Sequence, residues 1–137
     1  MRTFFDSSAF AKRYIEEPGS QAVDSLCLEA TEVALSVLCI PEIISALNRR
    51  AREGLLRRQA YADAKQYLMQ DIRDAVIVNL VPVVLSACTK ILEAGPVRAA
   101  DALHVACALE WKAELFVSAD KPQISAARKA GLRTRFI

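Results

Sequence analysis

The stretch Leu115-Phe116-Val117-Ser118-Ala119-Asp120 joins a continuous apolar run to a carboxylate, and the chain opens with a shorter version of it, Thr3-Phe4-Phe5-Asp6. A short run that is apolar throughout is typical of a strand buried on both faces, as in a parallel sheet. A charge at the edge of such a run is costly unless it has a partner or a task. The two stretches therefore predict buried parallel strands, each followed by an acid of functional interest.

Short apolar segments alternate with amphipathic segments along the rest of the chain. Strands are predicted over residues 2–6, 33–37, 75–80, 114–118 and 132–137, and apolar positions at helical spacing separate them. This alternation is typical of an α/β fold of three layers, with a central parallel sheet of four to five short strands flanked by helices. The predicted helices cover residues 9–16, 21–30, 42–54, 55–73, 86–94, 99–111 and 123–130.

Length and composition predict one globular domain spanning residues 1–137, without linker or repeat. Eighteen basic and 16 acidic residues leave a net charge of +2, which neither demands nor excludes a nucleic-acid partner. The N-terminal residues do not read as a signal peptide, and the most apolar segment, residues 75–88, is too short to span a bilayer. We therefore expect no membrane association.

The cysteine and histidine content argues against a structural zinc site. The four cysteines lie far apart, no CxxC or CxxH pair occurs, and His104 is the only histidine. Apolar neighbours predict buried, reduced thiols, which fits a cytoplasmic protein.

Two more carboxylates, Glu42 and Asp101, each open a predicted helix. In open parallel sheets, active sites form beyond the carboxyl ends of the strands, at helix N-termini. Asp6 and Asp120 end strands, so the fold would gather all four acids at one edge. Carboxylates gathered without cations repel one another, and a hard divalent metal is their natural ligand. The alternative is structural, with Asp6 and Asp101 capping helices and Glu42 paired to an arginine.

Three further groups of residues each allow two interpretations. Ser7 and Ser118 could hold a metal-bound water or a phosphate oxygen, or act only as turn and cap residues. His104 lies one helical turn after Asp101, where a core or supporting role is favoured over a general base. A basic stretch near the end of the helix that begins at Glu42 either binds nucleic-acid phosphates or is a solvated face. Its arginines are Arg49, Arg50, Arg52, Arg57 and Arg58, and a second basic group, Arg128, Lys129, Arg133 and Arg135, is interpreted as plain surface.

Four segments together resemble the PIN-domain nucleases, and within them the VapC-type toxins of toxin–antitoxin pairs. All four occur in the family's order and span nearly the whole chain. The segments are Phe5-Asp6-Ser7-Ser8-Ala9, Pro41-Glu42-Ile43-Ile44-Ser45-Ala46-Leu47, Ala100-Asp101-Ala102-Leu103-His104-Val105-Ala106 and Phe116-Val117-Ser118-Ala119-Asp120-Lys121.

The resemblance implies a PIN-like fold and an endoribonuclease that cleaves single-stranded RNA with Mg²⁺ or Mn²⁺. It also implies a cognate antitoxin whose tail covers the acidic pocket, and a homodimer or antitoxin interface around residues 42–68. The chain departs from some members in carrying Lys121-Pro122-Gln123 where a further acid follows the last aspartate. The implied catalytic residues are Asp6, Glu42, Asp101 and Asp120, with Asp6, Asp101 and Asp120 as metal ligands and Ser7 and Ser118 as supporting hydroxyls.

Two other functions compete with this interpretation. A phosphoacceptor receiver domain also places acids at strand ends and uses a Lys-Pro pair like Lys121-Pro122, but it needs adjacent acids where Asp6 is followed by serines. A catalytically weak PIN-like module that binds RNA or protein is the second alternative. Metal-dependent cleavage of RNA would separate it from the enzyme.

Overall fold

The computed structural model describes residues 1–137. Five strands form one parallel sheet in the order β3-β2-β1-β4-β5. The central strand β1 (Arg2–Phe5) lies between β2 (Glu32–Ser36) and β4 (Leu115–Ser118), while β3 (Val76–Val78) and β5 (Thr134–Phe136) form the edges.

Helices cover both faces of the sheet. Helix α1 (Ser7–Phe10) continues into a single 3₁₀ turn, Ala11–Arg13. The first face is covered by α1, α2 (Ser20–Glu29), α3 (Cys39–Arg52) and α4 (Arg58–Asp74). The second is covered by α5 (Pro82–Ala94), α6 (Ala99–Trp111) and α7 (Lys121–Lys129). The predicted three-layer α/β fold is therefore confirmed.

Alternation along the strands divides the core into two halves. Phe5 packs with the helices of the first face, whereas its neighbour Phe4 packs with those of the second. The rings of Phe4 and Phe116 stack at 5.8 Å between centroids. Burial of each of these two side chains contributes about 1.5–3 kcal/mol to the stability of the folded protein. The three central strands are largely buried on both faces, which explains why β1 and β4 read as continuous apolar runs.

Several predicted boundaries were wrong. Helix α3 begins at Cys39 rather than Glu42. Pro41 is tolerated in the first turn because backbone N–H groups there have no intrahelical acceptor, so the N–H that proline lacks is not needed. Helix α5 begins at Pro82, four residues earlier than predicted, and this proline is tolerated for the same reason. The first helix ends at Phe10 before the 3₁₀ turn, and strand β3 has only three residues. No helix combines the length and hydropathy that crossing a bilayer requires.

Strand register sets the geometry of the site. Phe5 pairs with Val117, and the backbone N–H of Asp6 continues the ladder by donating to Val117 O at 3.0 Å. The carboxyl ends of β1 and β4 therefore lie side by side, with Asp6 and Ser118 as neighbours.

Candidate active site

Asp6 is the most buried of the four acids, with 1% of the residue exposed. It caps α1, since its Oδ1 accepts from the backbone N–H of Ala9 at 2.9 Å. Ser118 donates to its Oδ2 at 2.5 Å, and the Ser8 hydroxyl lies 2.8 and 2.9 Å from its two oxygens. Burial raises the pKa of Asp6 above its ordinary value, although these hydrogen bonds oppose the shift. A cation bound nearby would therefore stabilise the charged form of Asp6.

Glu42 forms a triangle with Ser7 and His104. The Ser7 hydroxyl donates to Glu42 Oε1 at 2.8 Å, and His104 Nε2 lies 2.5 Å from the same oxygen. Ser7 Oγ and His104 Nε2 are 3.3 Å apart. Burial acts to raise the pKa of Glu42, but His104 and Ser7 outweigh it, and the pKa lies below its ordinary value. Glu42 therefore serves the site as an anion.

His104 is buried and makes its polar contacts through Nε2 only. The ring is 1% exposed, and its Nδ1 is buried without a partner. A proton on Nδ1 would be an unpaired buried donor, which is costly, whereas a proton on Nε2 has Glu42 as acceptor. Nε2 is therefore the ring atom that donates to Glu42.

Asp101 and Asp120 are linked through Gln123. Gln123 Nε2 donates to Asp101 Oδ1 at 3.2 Å, and its backbone N–H donates to Asp120 Oδ2 at 3.0 Å, which caps α7. Arg98 Nε donates to Asp101 Oδ2 at 3.1 Å. Gln123 is 3% exposed and its Oε1 has no partner. Gln123 thus orders two of the acids and keeps one oxygen acceptor unused.

All four predicted acids line one cleft of about 680 Å³ at the carboxyl edge of the sheet. They come from four different parts of the chain, and only the fold brings them together. Carboxylates outnumber guanidinium groups in the lining. The charged lining residues are Asp6, Glu17, Glu42, Glu53, Asp101, Asp120, Arg49, Arg50 and Arg98.

The donor set fits a hard divalent cation. No three His, Cys, Asp or Glu side chains are arranged as a ready-made metal cage. Mg²⁺ does not require one, because it retains several waters and binds through one or two carboxylates. Among the four predicted acids, two oxygens, Asp120 Oδ1 and Glu42 Oε2, accept no hydrogen bond from the protein. An excess of carboxylates with free oxygens suits a hydrated cation.

The predicted RNA-binding arginines divide into two groups. Arg49 and Arg50 line the cleft, and Arg50 also contacts Glu17 Oε2 at 3.3 Å. The other three, Arg52, Arg57 and Arg58, do not line it. Helical spacing explains the division, since Arg49 lies seven residues after Glu42 on the same helix α3 and shares its face.

Sequence reasoning missed Ser8, Arg98 and Gln123 as residues of the site. Ser8 touches both oxygens of Asp6 and also receives the backbone N–H of Ala119 at 2.9 Å. Arg98 had a usable signal, because it precedes Asp101 by three residues and so shares its helical face. Gln123 had one as well, since it follows Asp120 by three residues and so lies one helical turn from it.

Fold and site together define the class of protein. The chain matches the PIN domain family over residues 3–129, nearly its whole length. It belongs to the PIN domain family.

Within this family, the chain is similar to proteins of the VapC type. Ribonuclease VapC45 of Mycobacterium tuberculosis is 32% identical over 106 residues, which cover 77% of this chain and 74% of that protein. The crystal structure of Mycobacterium tuberculosis VapC20, described as a sarcin–ricin loop cleaving toxin, superposes with a TM-score of 0.70 at 16% identity, covering 95% of each chain. VapBC2 from Rickettsia felis, bound to a promoter DNA fragment, superposes with a TM-score of 0.71 at 11% identity, covering 100% of this chain and 99% of that one.

Proposed function

We propose that this protein is a metal-dependent endoribonuclease that cleaves single-stranded RNA. The observation that carries the proposal is the convergence of Asp6, Glu42, Asp101 and Asp120 on one cleft. Phosphodiester hydrolysis develops negative charge at phosphorus oxygens, and cations held by carboxylates neutralise such charge. The ribonuclease name of the VapC45 relative supports RNA as the substrate.

Asp6, Asp101 and Asp120 would hold Mg²⁺ or Mn²⁺, which when bound lowers the pKa of a coordinated water and neutralises charge on the phosphate. Ser118 and Ser8 fix the orientation of Asp6 through its two oxygens. Glu42 is held through Oε1 alone, so its Oε2 is available to accept a proton from the attacking water.

Two arginines at the rim are placed to bind the substrate. Arg98 is exposed, with 82% of its side chain accessible, and Arg49 on α3 is an exposed residue of the same cleft. Each would bind a phosphate of the RNA, and binding would weaken as salt rises. Arg98 would exchange its contact with Asp101 for the phosphate, which frees Asp101 for the cation.

Cleavage of a labelled single-stranded RNA of mixed sequence tests the proposal. Cleavage should require Mg²⁺ or Mn²⁺, stop in excess EDTA and resume when metal is restored. RNA binding without cleavage under any metal condition would instead support the catalytically weak binding module. Cleavage that persists in EDTA would contradict the metal-dependent mechanism.

We further propose that the protein is the toxin of a toxin–antitoxin pair, works in the cytoplasm and forms a homodimer. The Rickettsia felis structure, named VapBC2, supports a protein partner of this kind. Four unpaired cysteines are compatible with a reducing compartment. Leu55 and Tyr67, on the α3–α4 side, expose 66% and 62% of their surface and could pack in an interface.

Expression in a bacterial host tests the toxin assignment. Growth should stop when the protein is expressed alone and continue when the short reading frame adjacent to its gene is co-expressed. Growth unaffected by the protein alone would contradict a toxin role. Light scattering during size-exclusion chromatography would test the dimer, and a mass of 15.1 kDa would contradict it.

A further inference from the structure

The last 17 residues form a strongly basic segment that the proposed chemistry does not use. Residues 121–137 contain five lysines and arginines and no acid, so the rest of the chain carries a net negative charge. None of the five cations forms an ion pair with a carboxylate. From the sequence, Arg128, Lys129, Arg133 and Arg135 are interpreted as plain surface, but the structure brings Arg128 and Lys129 together with Lys121.

Three of the five cations, together with Phe136, line a surface depression of about 490 Å³ between α7 and β5. Phe136 exposes 44% of its surface there, and Lys121 Nζ lies 5.8 Å from the centre of its ring. Arg128 Nε donates to Thr134 Oγ1 at 2.9 Å, which holds this guanidinium beside the strand. We call Lys121, Arg128, Lys129 and Phe136 the C-terminal basic surface.

The sheet joins the C-terminal basic surface to the acidic cleft. In the parallel register, Phe136 pairs with Ser118, and the backbone N–H of Ile137 donates to Ser118 O at 3.0 Å. Ser118 in turn donates to Asp6 in the neighbouring cleft. Adjacent strands lie about 4.8 Å apart, so Phe136 is one strand away from the hydroxyl that orients Asp6. Lys121 also directly follows Asp120 in the chain.

We propose that the C-terminal basic surface binds the stretch of single-stranded RNA that flanks the cleavage site. An exposed aromatic ring surrounded by unpaired cations is the combination that single-stranded nucleic acids need. A base stacks on the ring while the cations contact successive phosphates. A base paired within a duplex could not stack on Phe136, so the surface favours unpaired RNA. The inference rests on the proposed function for its substrate, and it extends the site beyond the cleft.

Binding of a fluorescent single-stranded RNA, measured by anisotropy in EDTA, tests this inference without requiring cleavage. The Asp6→Asn variant serves as the background, and Lys121→Ala/Arg128→Ala is the test variant. The matched control is Lys65→Ala/Arg73→Ala, which removes one lysine and one arginine that are exposed on α4, on the other face of the sheet. Thermal melting of each variant confirms that it is folded.

The test variant should bind RNA at least tenfold more weakly than the background, while the control binds as the background does. The slope of log Kd against log salt should fall by about 1.4 for two lost phosphate contacts. Phe136→Ala should weaken binding about fivefold or more, and Phe136→Trp should restore it.

Two results would overturn the inference. One is equal RNA affinity in the test variant and the control. The other is a poly-glutamate peptide that binds the surface as tightly as RNA and is lost with the same substitutions, which would assign it to an acidic protein partner. A wild-type protein that cuts no RNA with Mg²⁺, yet shows the expected binding pattern, would refute the proposed enzyme and leave the binding surface intact.

Discussion

His104 Nε2 lies 2.5 Å from Glu42 Oε1, and this contact holds Glu42 through one of its two oxygens. Ser7 donates to the same oxygen, so Oε2 has no partner in the protein. A carboxylate held through one oxygen has its orientation fixed while the other oxygen stays available to water or a cation. In the proposed reaction His104 is therefore a positioning residue, which would act through Glu42.

His104→Leu should lower kcat about 10- to 100-fold, the usual cost of losing a group that orients a functional side chain, with little change in KM. His104→Gln should retain more activity than His104→Asn, because the glutamine amide reaches the place of Nε2 and the asparagine amide reaches only that of Nδ1. Steady-state kinetics, with thermal melting to confirm folding, would measure both. Equal activity of the leucine and glutamine variants would mean that the hydrogen bond has no role.

Burial of Asp6 has a consequence for stability. Because the pKa of Asp6 is raised in the folded state, the folded protein retains a proton that the unfolded chain releases. The stability that this proton provides is present below the pKa of the unfolded carboxyl and is lost as pH rises through the folded pKa. Asp6→Asn avoids this loss and retains a good helix cap.

Asp6→Asn should therefore be more stable than the wild type near neutral pH, with the difference shrinking toward about pH 4. Urea unfolding at a series of pH values, in EDTA to exclude metal, provides the measurement. A variant less stable than the wild type at every pH would show that the hydrogen bonds to Asp6 outweigh its burial.

Gln123 contacts Asp101 through an uncharged amide, so no further carboxylate repels Asp101 from this position. Gln123→Glu replaces the amide that lies 3.2 Å from Asp101 Oδ1 with a carboxylate, so it should lower the melting temperature measured without metal. The rise in melting temperature on adding Mn²⁺ should be larger than in the wild type. Gln59→Glu is the matched control, since Gln59 Nε2 contacts Asp63 Oδ1 at 2.9 Å on an exposed helical turn. Differential scanning fluorimetry with and without Mn²⁺ compares them. Identical Mn²⁺ gains in the two variants would exclude a metal near Gln123.

Arg49 and Arg52 form a matched pair on α3. Both are exposed, but only Arg49 lines the cleft. Arg49→Ala should weaken RNA binding and reduce the salt slope by about 0.7, the value for one phosphate contact with a single strand. Arg52→Ala should change neither. A similar loss in both variants would indicate diffuse attraction rather than a contact in the cleft.

The sequence predicted the fold and the position of the four acids because both follow from the strands. Continuous apolar runs mark buried parallel strands, and the acids that follow Phe5 and Ala119 must meet where those strands end. Glu42 and Asp101 could be placed there because each lies in the first turn of its helix.

Contacts across the cleft could not be predicted in this way. The pairing of Glu42 with His104 depends on the angle between α3 and α6, which pack on opposite faces of the sheet. That angle is set by packing of the two cores and not by local pattern. Arg57 was grouped with the cleft arginines by proximity in sequence. The chain turns after α3 at Gly54, whose φ of +75° favours glycine, and Arg57 is then the N-cap residue of a different helix, α4.

Cleavage of single-stranded RNA by Asp6→Asn and by Asp63→Asn, each with Mg²⁺ and compared with the wild type, tests the central claim most directly. Asp63 is an exposed aspartate on α4 that does not line the cleft. The account predicts that Asp6→Asn loses at least about 100-fold in rate, the scale expected when electrostatic stabilisation of the transition state is removed, while Asp63→Asn cleaves normally. Wild-type cleavage rates in Asp6→Asn would contradict an active site built on the four carboxylates.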